Sequence, residues 1–162
     1  MRLIEQYLNI IQNTMLRNGW YNENHTDLVP VFTAVHAITS IAPQVQINGA
    51  ARTDYALAAA TVLSSSGHNN SVYELAGDNT FTIEGLAQAV SKHTQVEVKA
   101  KFVSDEEYLA YLVALGVPAG FAALLVDAEA QAQQGYLAAQ SNALSQLIGR
   151  PTTTVTHSLA AN

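Results

Sequence analysis

Hydrophobic and polar residues follow two different periods along this chain. Apolar side chains recur at helical spacing over residues 2–12, which predicts an amphipathic helix, and a brief apolar run over 14–17 predicts a strand. A second helix is predicted over about 24–39, where Pro30 fits only in a first turn or at a kink. Residues 44–47 alternate polar and apolar, which predicts a short half-exposed strand.

The next segment repeats the order of helix and strand. An alanine-rich helix is predicted to begin at an N-cap formed by Thr53 or Asp54 and to end at Leu63. The elements predicted after it are a strand over 72–77, a helix over 81–92 with Thr82 as its cap, and a strand over 96–102.

The last third of the chain is predicted to be helical. Ser104 followed three residues later by Glu107 has the pattern of a capping box, which predicts a helix over 105–115. Two further helices are predicted over 119–134 and 141–148, with Gly135 and Gly149 as their C-terminal stops.

This order of elements predicts an α/β fold with right-handed crossovers rather than a bundle or a sandwich. No internal repeat, linker or block of charge divides the 162 residues, so a single domain over 1–162 is expected. The predicted sheet has only two or three principal strands and therefore an exposed edge. Such an edge is expected to be covered, for example by pairing with a second copy in a homo-oligomer.

Composition excludes several classes of protein. The net charge is −6 and no cluster of basic residues occurs, which argues against nucleic acid or an anionic membrane as partner. The chain has no cysteine, so disulfides and thiolate metal sites are excluded, and its five histidines show no metal-ligand spacing. No secretory signal and no apolar run of about 20 residues is present. We expect a cytoplasmic protein that does not cross a membrane.

Five short motifs in a fixed order carry a family resemblance. They are LRNGWYNEN at 16–24, RTDYA at 52–56, YELAGD at 73–78, PAGFA at 118–122 and LIGRP at 147–151. With these motifs the whole chain resembles the NmrA-like branch of the atypical short-chain dehydrogenases, and most closely the NAD(P)H:quinone oxidoreductases of type 2.

The resemblance implies the carboxyl-terminal part of an NAD(P)-binding Rossmann-like sheet over about 1–77 and a small helix-rich substrate lobe over about 78–162. In this family a Gly-rich turn in the amino-terminal half binds the dinucleotide. No such turn occurs in the 162 residues. We therefore expect the dinucleotide-binding half to be absent, and this chain to be a shortened reductase that is inactive alone. The implied cofactor is NADPH or NADH, and the implied acceptor is a quinone.

The resemblance also implies a site at the carboxyl end of the first strand. It assigns Asn18, Gly19, Trp20 and Tyr21 to the nicotinamide side of that site. Asn24 and Phe121 are assigned to the acceptor side, the latter within an apolar ridge of the lobe. The position agrees with the general location of ligands in open α/β sheets, outside the carboxyl ends of the strands. The competing interpretation is that the two aromatic residues pack a corner of the core and Asn18 satisfies a turn.

Other residues have a chemical and a structural interpretation. Tyr21 is a candidate proton donor, but His25 rather than lysine follows it four residues later, so the Tyr-x-x-x-Lys pair of short-chain dehydrogenases is not present there. Arg52 and Asp54 could contact an anionic ligand, and bracing of the adjacent helix is the favoured interpretation. The acidic run 105–107 is interpreted as capping rather than catalysis.

Two functions from different classes remain open at this point. The first is the acceptor side of hydride transfer from NADPH to a quinone. The alternative is a non-catalytic NmrA-like module that senses redox state or binds another protein.

Overall fold

The computed structural model describes residues 13–139 and 141–161. In this part of the chain four strands form two parallel pairs, the first with the third and the second with the fourth. The predicted helix over 2–12 lies outside the described residues. The strands are β1 (Thr14–Asn18), β2 (Ala37–Ser40), β3 (Ser71–Leu75) and β4 (Lys99–Phe102).

Helices connect and cover these strands, as the prediction of an α/β fold requires. They are α1 (Glu23–Thr26), α2 (Val29–Val35), α3 (Arg52–Ser64), α4 (Ile83–Thr94), α5 (Asp105–Ala114), α6 (Ala119–Gln131), α7 (Ala143–Ile148) and α8 (Val155–Ala161). A π-helical turn, Ala132–Tyr136, follows α6 directly. The α/β class and the Rossmann-like parallel pairing are therefore confirmed, while the single-domain boundaries and pairing through a sheet edge stay predictions.

Each strand pair is covered by its own apolar cluster. In the β1–β3 pair, Leu75 packs with Tyr55 and Ala58 of α3 and with Leu144 of α7. The β2–β4 pair buries a larger cluster, whose central members are Ile38, Ile47, Leu86, Val90 and Val98. A third cluster joins α5 and α6 through Tyr108, Leu112 and Ala122. Removal of these side chains from water supplies the main driving force for this arrangement.

The segment that follows β3 contacts the loop that contains Asn48 and Gly49. Gly77 N donates to Asn48 O at 3.0 Å, and Asn48 Nδ2 donates back to Gly77 O at 3.0 Å. A Cβ at Gly77 would lie 2.0 Å from the carbonyl oxygen of Gly49, so no side chain fits there. The absence of a side chain at Gly77 thus permits the close approach of the segment after β3 to the loop that contains Asn48 and Gly49.

The predicted helix over 24–39 is wrong in its last four residues, and its helical part is divided into α1 and α2. The helical segment ends at Val35, His36 adopts a left-handed conformation with φ 54°, and β2 begins at the next residue. Ile38 is buried within the pairing of β2 with β4, so tertiary pairing decides the conformation here. Pro30 lies in the first turn of α2, where a missing N–H costs nothing.

Two other local predictions are wrong. Residues 44–47 do not form a strand: only Ile47 makes an isolated antiparallel bridge, to Phe81. Neither Thr53 nor Asp54 caps α3, since the helix begins at Arg52 and the Arg52 amide donates to the Glu23 carboxylate at 2.9 Å. The cap comes from another helix, which no local pattern specifies. The helix α8 was not predicted at all.

The remaining caps agree with the sequence. Thr82 Oγ1 accepts from Gly85 N at 3.1 Å, and Ser104 and Glu107 form the reciprocal capping box. Gly149 ends α7 in the left-handed conformation with φ 70°. Gly135 has φ 92° but lies within the π-helical turn, four residues after α6 has ended.

Buried polar side chains fix the segment that follows α7. Asp54 is fully buried, and it accepts hydrogen bonds from Arg150 Nη2 at 2.6 Å and Thr153 N at 2.6 Å. Asn22, also buried, donates to Thr153 O at 2.9 Å and Ser158 Oγ at 3.0 Å. Asp54 therefore braces the fold, as favoured from the sequence, but its partners lie almost 100 residues away rather than on its own helix.

Replacement of Asp54 by alanine is expected to lower the free energy of unfolding by about 3 kcal/mol, because it removes a charged acceptor and leaves the Thr153 amide unpaired. Urea unfolding measures this loss. Asp27→Ala is the matched control: Asp27 pairs with Arg52 at 3.3 Å while half exposed, and such a pair contributes at most ~1 kcal/mol. Equal losses in the two variants would contradict the bracing role.

Candidate functional site

The loop that follows β1 is held against the end of β3. Gly19 N donates to Leu75 O at 2.8 Å, and a Cβ at Gly19 would lie 2.8 Å from that oxygen. Tyr55 OH donates to Trp20 O at 3.2 Å. Gly19 thus has a packing reason to be glycine, and the close approach sets the direction in which the next side chains leave the sheet.

A cleft of about 360 Å³ opens on one side of this loop. Trp20, Asn24 and Phe121, three residues that the resemblance assigned to the site, line it together. The first two come from the loop and α1, and the third comes from α6 across the cleft. The other lining residues are His25, Leu28, Ile38, Thr39, Ile83, Tyr108, Leu112, Leu125 and Glu129. The cleft therefore lies between the strand end and the α5–α6 lobe.

His25 supports the indole that forms one wall of the cleft. Trp20 Nε1 donates to His25 Nε2 at 3.1 Å, and the imidazole stands edge-on to Phe81 with ring centroids 5.7 Å apart. Burial lowers the pKa of His25 from its ordinary value of 6.5 to about 4, so the ring is neutral near pH 7. Because Nε2 accepts this hydrogen bond, the hydrogen-bond geometry assigns the ring proton to Nδ1.

Asn24 contributes to the cleft a side-chain amide that has no hydrogen-bond partner among the described residues. Its backbone N–H donates to Tyr21 O at 3.1 Å, whereas its side chain makes no hydrogen bond within residues 13–139 and 141–161. An amide offers both a donor and an acceptor. It is thus a polar group available to a ligand in otherwise apolar surroundings.

A fixed carboxylate lies at the other side of the cleft. Glu129 Oε2 accepts from Ser40 Oγ at 2.7 Å and from Ile41 N at 3.0 Å. Burial raises the pKa of Tyr108, and the charge of Glu129 and a hydrogen bond to it raise this pKa further. Sequence reasoning missed Glu129 and Tyr108, because no spacing relates them to Ser40, 89 positions from Glu129.

Asn18 and Tyr21 lie in a different depression, of about 300 Å³, beside the start of α3. Asn18 Nδ2 donates to Tyr21 OH at 3.0 Å, and the Tyr21 ring stands edge-on to Tyr55 at 5.1 Å. The Arg52 guanidinium lies 5.9 Å from the Tyr21 ring centroid. Burial raises the pKa of Tyr55, helped by Tyr21, Asp54 and Glu23.

The loop after β1 therefore has two faces. Trp20 joins them, because its indole lines the cleft while its carbonyl receives the hydrogen bond from Tyr55 in the depression. The structure brings Trp20, Asn24 and Phe121 together and separates them from Asn18 and Tyr21. Among the described residues no group of three or more His, Asp or Glu could hold a metal ion. No helix in that part of the chain is both long enough and apolar enough to span a membrane.

Comparison with known proteins identifies relatives, although no family model matches the chain. The chain is 40% identical over 147 residues to quinone oxidoreductase 2 of Escherichia coli (strain K12), covering 91% of this chain and 51% of that protein.

Two solved structures share the fold closely. One is an NADPH-dependent quinone oxidoreductase from Escherichia coli, with a TM-score of 0.94, 38% identity and coverage of 99% of this chain and 59% of that one. The other is the Citrobacter sp. triphenylmethane reductase complexed with NADP(H), with a TM-score of 0.90, 31% identity and coverage of 99% and 56%.

The chain spans about half the length of the curated relative it matches. Over the residues that it shares with these proteins, the chain is similar to quinone-reductase-like members of the atypical short-chain dehydrogenases, in agreement with the resemblance of its motifs to the NmrA-like branch.

Proposed function

We propose that this chain forms the acceptor side of an NADPH-dependent quinone oxidoreductase. The observation that carries the proposal is the cleft in which Trp20, Asn24 and Phe121 meet. The Escherichia coli relatives, a quinone oxidoreductase 2 and an NADPH-dependent quinone oxidoreductase solved with NADPH, support this chemistry.

The cleft has the properties that a quinone requires. Trp20 and Phe121 are flat apolar surfaces against which an aromatic ring can pack. The unpartnered Asn24 amide lies beside them and can donate to a quinone oxygen, which gains negative charge as hydride arrives. A donor at that oxygen stabilises the developing charge, and the remaining proton of the hydroquinone comes from solvent.

The depression beside α3 is proposed to contact a polar part of the cofactor other than its reacting ring, because hydride transfer requires the nicotinamide and the quinone to touch in one cleft. Asn18 and Tyr21 present an amide and a phenol there, and Arg52 adds a positive charge. When bound, the nicotinamide supplies the hydride and its electron pair. We assign Tyr21 to cofactor contact rather than to proton donation, because it does not line the cleft with Asn24.

Quinone binding is measurable through Trp20, the single tryptophan of the chain. We expect naphthoquinone to quench its fluorescence saturably, and Asn24→Ala to weaken binding about tenfold through the loss of one hydrogen bond to a carbonyl. Gln88→Ala, which removes an exposed amide from α4, is the matched control and is expected to leave the Kd unchanged. Equal Kd values in both variants would remove Asn24 from the site.

NADPH binding by the isolated chain tests the cofactor side. We expect calorimetry to give a Kd of about millimolar, because the 162 residues contain no Gly-rich turn to hold the pyrophosphate. For the same reason we expect the chain alone to oxidise NADPH negligibly with a quinone. Micromolar NADPH binding would overturn this assignment of the chain to the acceptor side.

The state of His25 predicts a pH dependence of stability. Its pKa is about 4 when folded and 6.5 when unfolded, so the unfolded chain binds the extra proton and stability falls as pH drops from about 6.5 to 4, by up to ~1.4 kcal/mol per unit. Above that window the contribution is constant.

Urea unfolding at several pH values checks this dependence. We expect His25→Gln to show a shallower loss of stability between pH 6.5 and 4 than the unaltered protein. His93→Gln, which removes an exposed histidine from α4, should show the full loss. Parallel curves for the unaltered protein and His25→Gln would contradict a neutral His25.

A further inference from the structure

The lobe that forms one wall of the cleft has an unusual distribution of charge. Between Lys101 and Arg150 the sequence contains five acidic residues and no Lys, Arg or His. The acidic residues are Asp105, Glu106, Glu107, Asp127 and Glu129. Both helices that face the cleft, α5 and α6, belong to this segment, so neither helix brings a positive side chain to the cleft.

Among the residues that line the cleft, the charge is also acidic rather than basic. Glu129 is the single carboxylate among the lining residues, and no lysine or arginine is among them. The lining histidine, His25, is neutral at pH 7 because burial lowers its pKa. The rest of the lining is apolar, aromatic or uncharged, which leaves the carboxylate weakly screened.

Glu129 is also held in place. Its Oε2 atom accepts from the Ser40 hydroxyl at 2.7 Å and the Ile41 amide at 3.0 Å, which fixes the carboxylate against β2. A half-buried carboxylate fixed by two donors cannot turn away from a ligand at low cost. An anionic ligand would be repelled, whereas a cation would gain attraction without reorganisation of the site.

We propose that Glu129 selects acceptors by charge, so that the cleft prefers a flat aromatic acceptor carrying a positive charge, admits neutral quinones and excludes anionic ones. This selection extends the proposed function by naming a substrate class, and it rests on that function only in taking the cleft as the acceptor site.

Equilibrium binding to the 162-residue chain tests the selection without any turnover. Three probes of matched shape are titrated against Trp20 fluorescence: naphthoquinone, its sulfonate and its trimethylammonium derivative. At low salt we expect the cation to bind at least about tenfold more tightly than the sulfonate, with the neutral quinone between them. At about 0.5 M salt the difference should shrink. A sulfonate that binds as tightly as the cation overturns the proposal, whatever the variants do.

Two variants test whether Glu129 is responsible for the selection by charge. Glu129→Gln keeps the side-chain shape and is expected to bring the cation and sulfonate affinities within about threefold of each other. Asp127→Asn removes the same charge from an exposed position of the same helix that does not line the cleft, and should retain the tenfold difference. Equal effects of both variants would overturn the assignment to Glu129.

The outcomes separate this inference from the proposed function. Binding that is ordered by charge but that Asn24→Ala leaves unchanged for naphthoquinone supports charge selection and contradicts the proposed quinone site. Saturable naphthoquinone binding that Asn24→Ala weakens, with no order by charge among the probes, supports the quinone site and overturns the selection. If Glu129→Gln fails to fold, the charge order and its salt dependence in the unaltered chain still decide the proposal.

Discussion

The buried carboxylate of Asp54 organises the part of the fold on which the site depends. It sits at the start of α3, fully buried, and receives the guanidinium of Arg150 and the amide of Thr153. An unpaired carboxylate in that position would be strongly destabilising, so the segment after α7 must return to it. The buried side chain of Asn22 holds the same segment in place by donating a hydrogen bond to Thr153 O. The loop after β1 is thereby held between α3 and the end of the chain.

This anchoring explains how one short loop serves two surfaces. Trp20 and Asn24 face the cleft, while Asn18 and Tyr21 face the depression beside α3. A loop that presents groups in two directions is useful only if its backbone is fixed. The hydrogen bonds from Gly19 to Leu75 and from Tyr55 to Trp20 provide that fixation. The proposed division into a surface that contacts the cofactor and a cleft for the acceptor is based on the same geometry.

Local signals in the sequence predicted a good part of the fold. The capping box at Ser104, the cap at Thr82 and the stop at Gly149 were correct because their partners lie within a few residues. The strand at Ala37–Ser40 was missed because its partner is β4, about 60 positions away. Likewise the cap of α3 was misassigned, since the Glu23 carboxylate that provides it comes from another helix.

In the candidate site, too, some features follow from the sequence and others only from the tertiary structure. The sequence by itself determined the family resemblance, through motifs such as LRNGWYNEN, and the types of side chain available to the proposed site. Only the tertiary structure decided that Phe121 joins Trp20 and Asn24, that Tyr21 does not, and that Glu129 faces them. The reason is physical: a motif fixes chemistry along the backbone, whereas a cleft is made by packing between segments about 100 residues apart. Its charge and shape exist only after the core has formed.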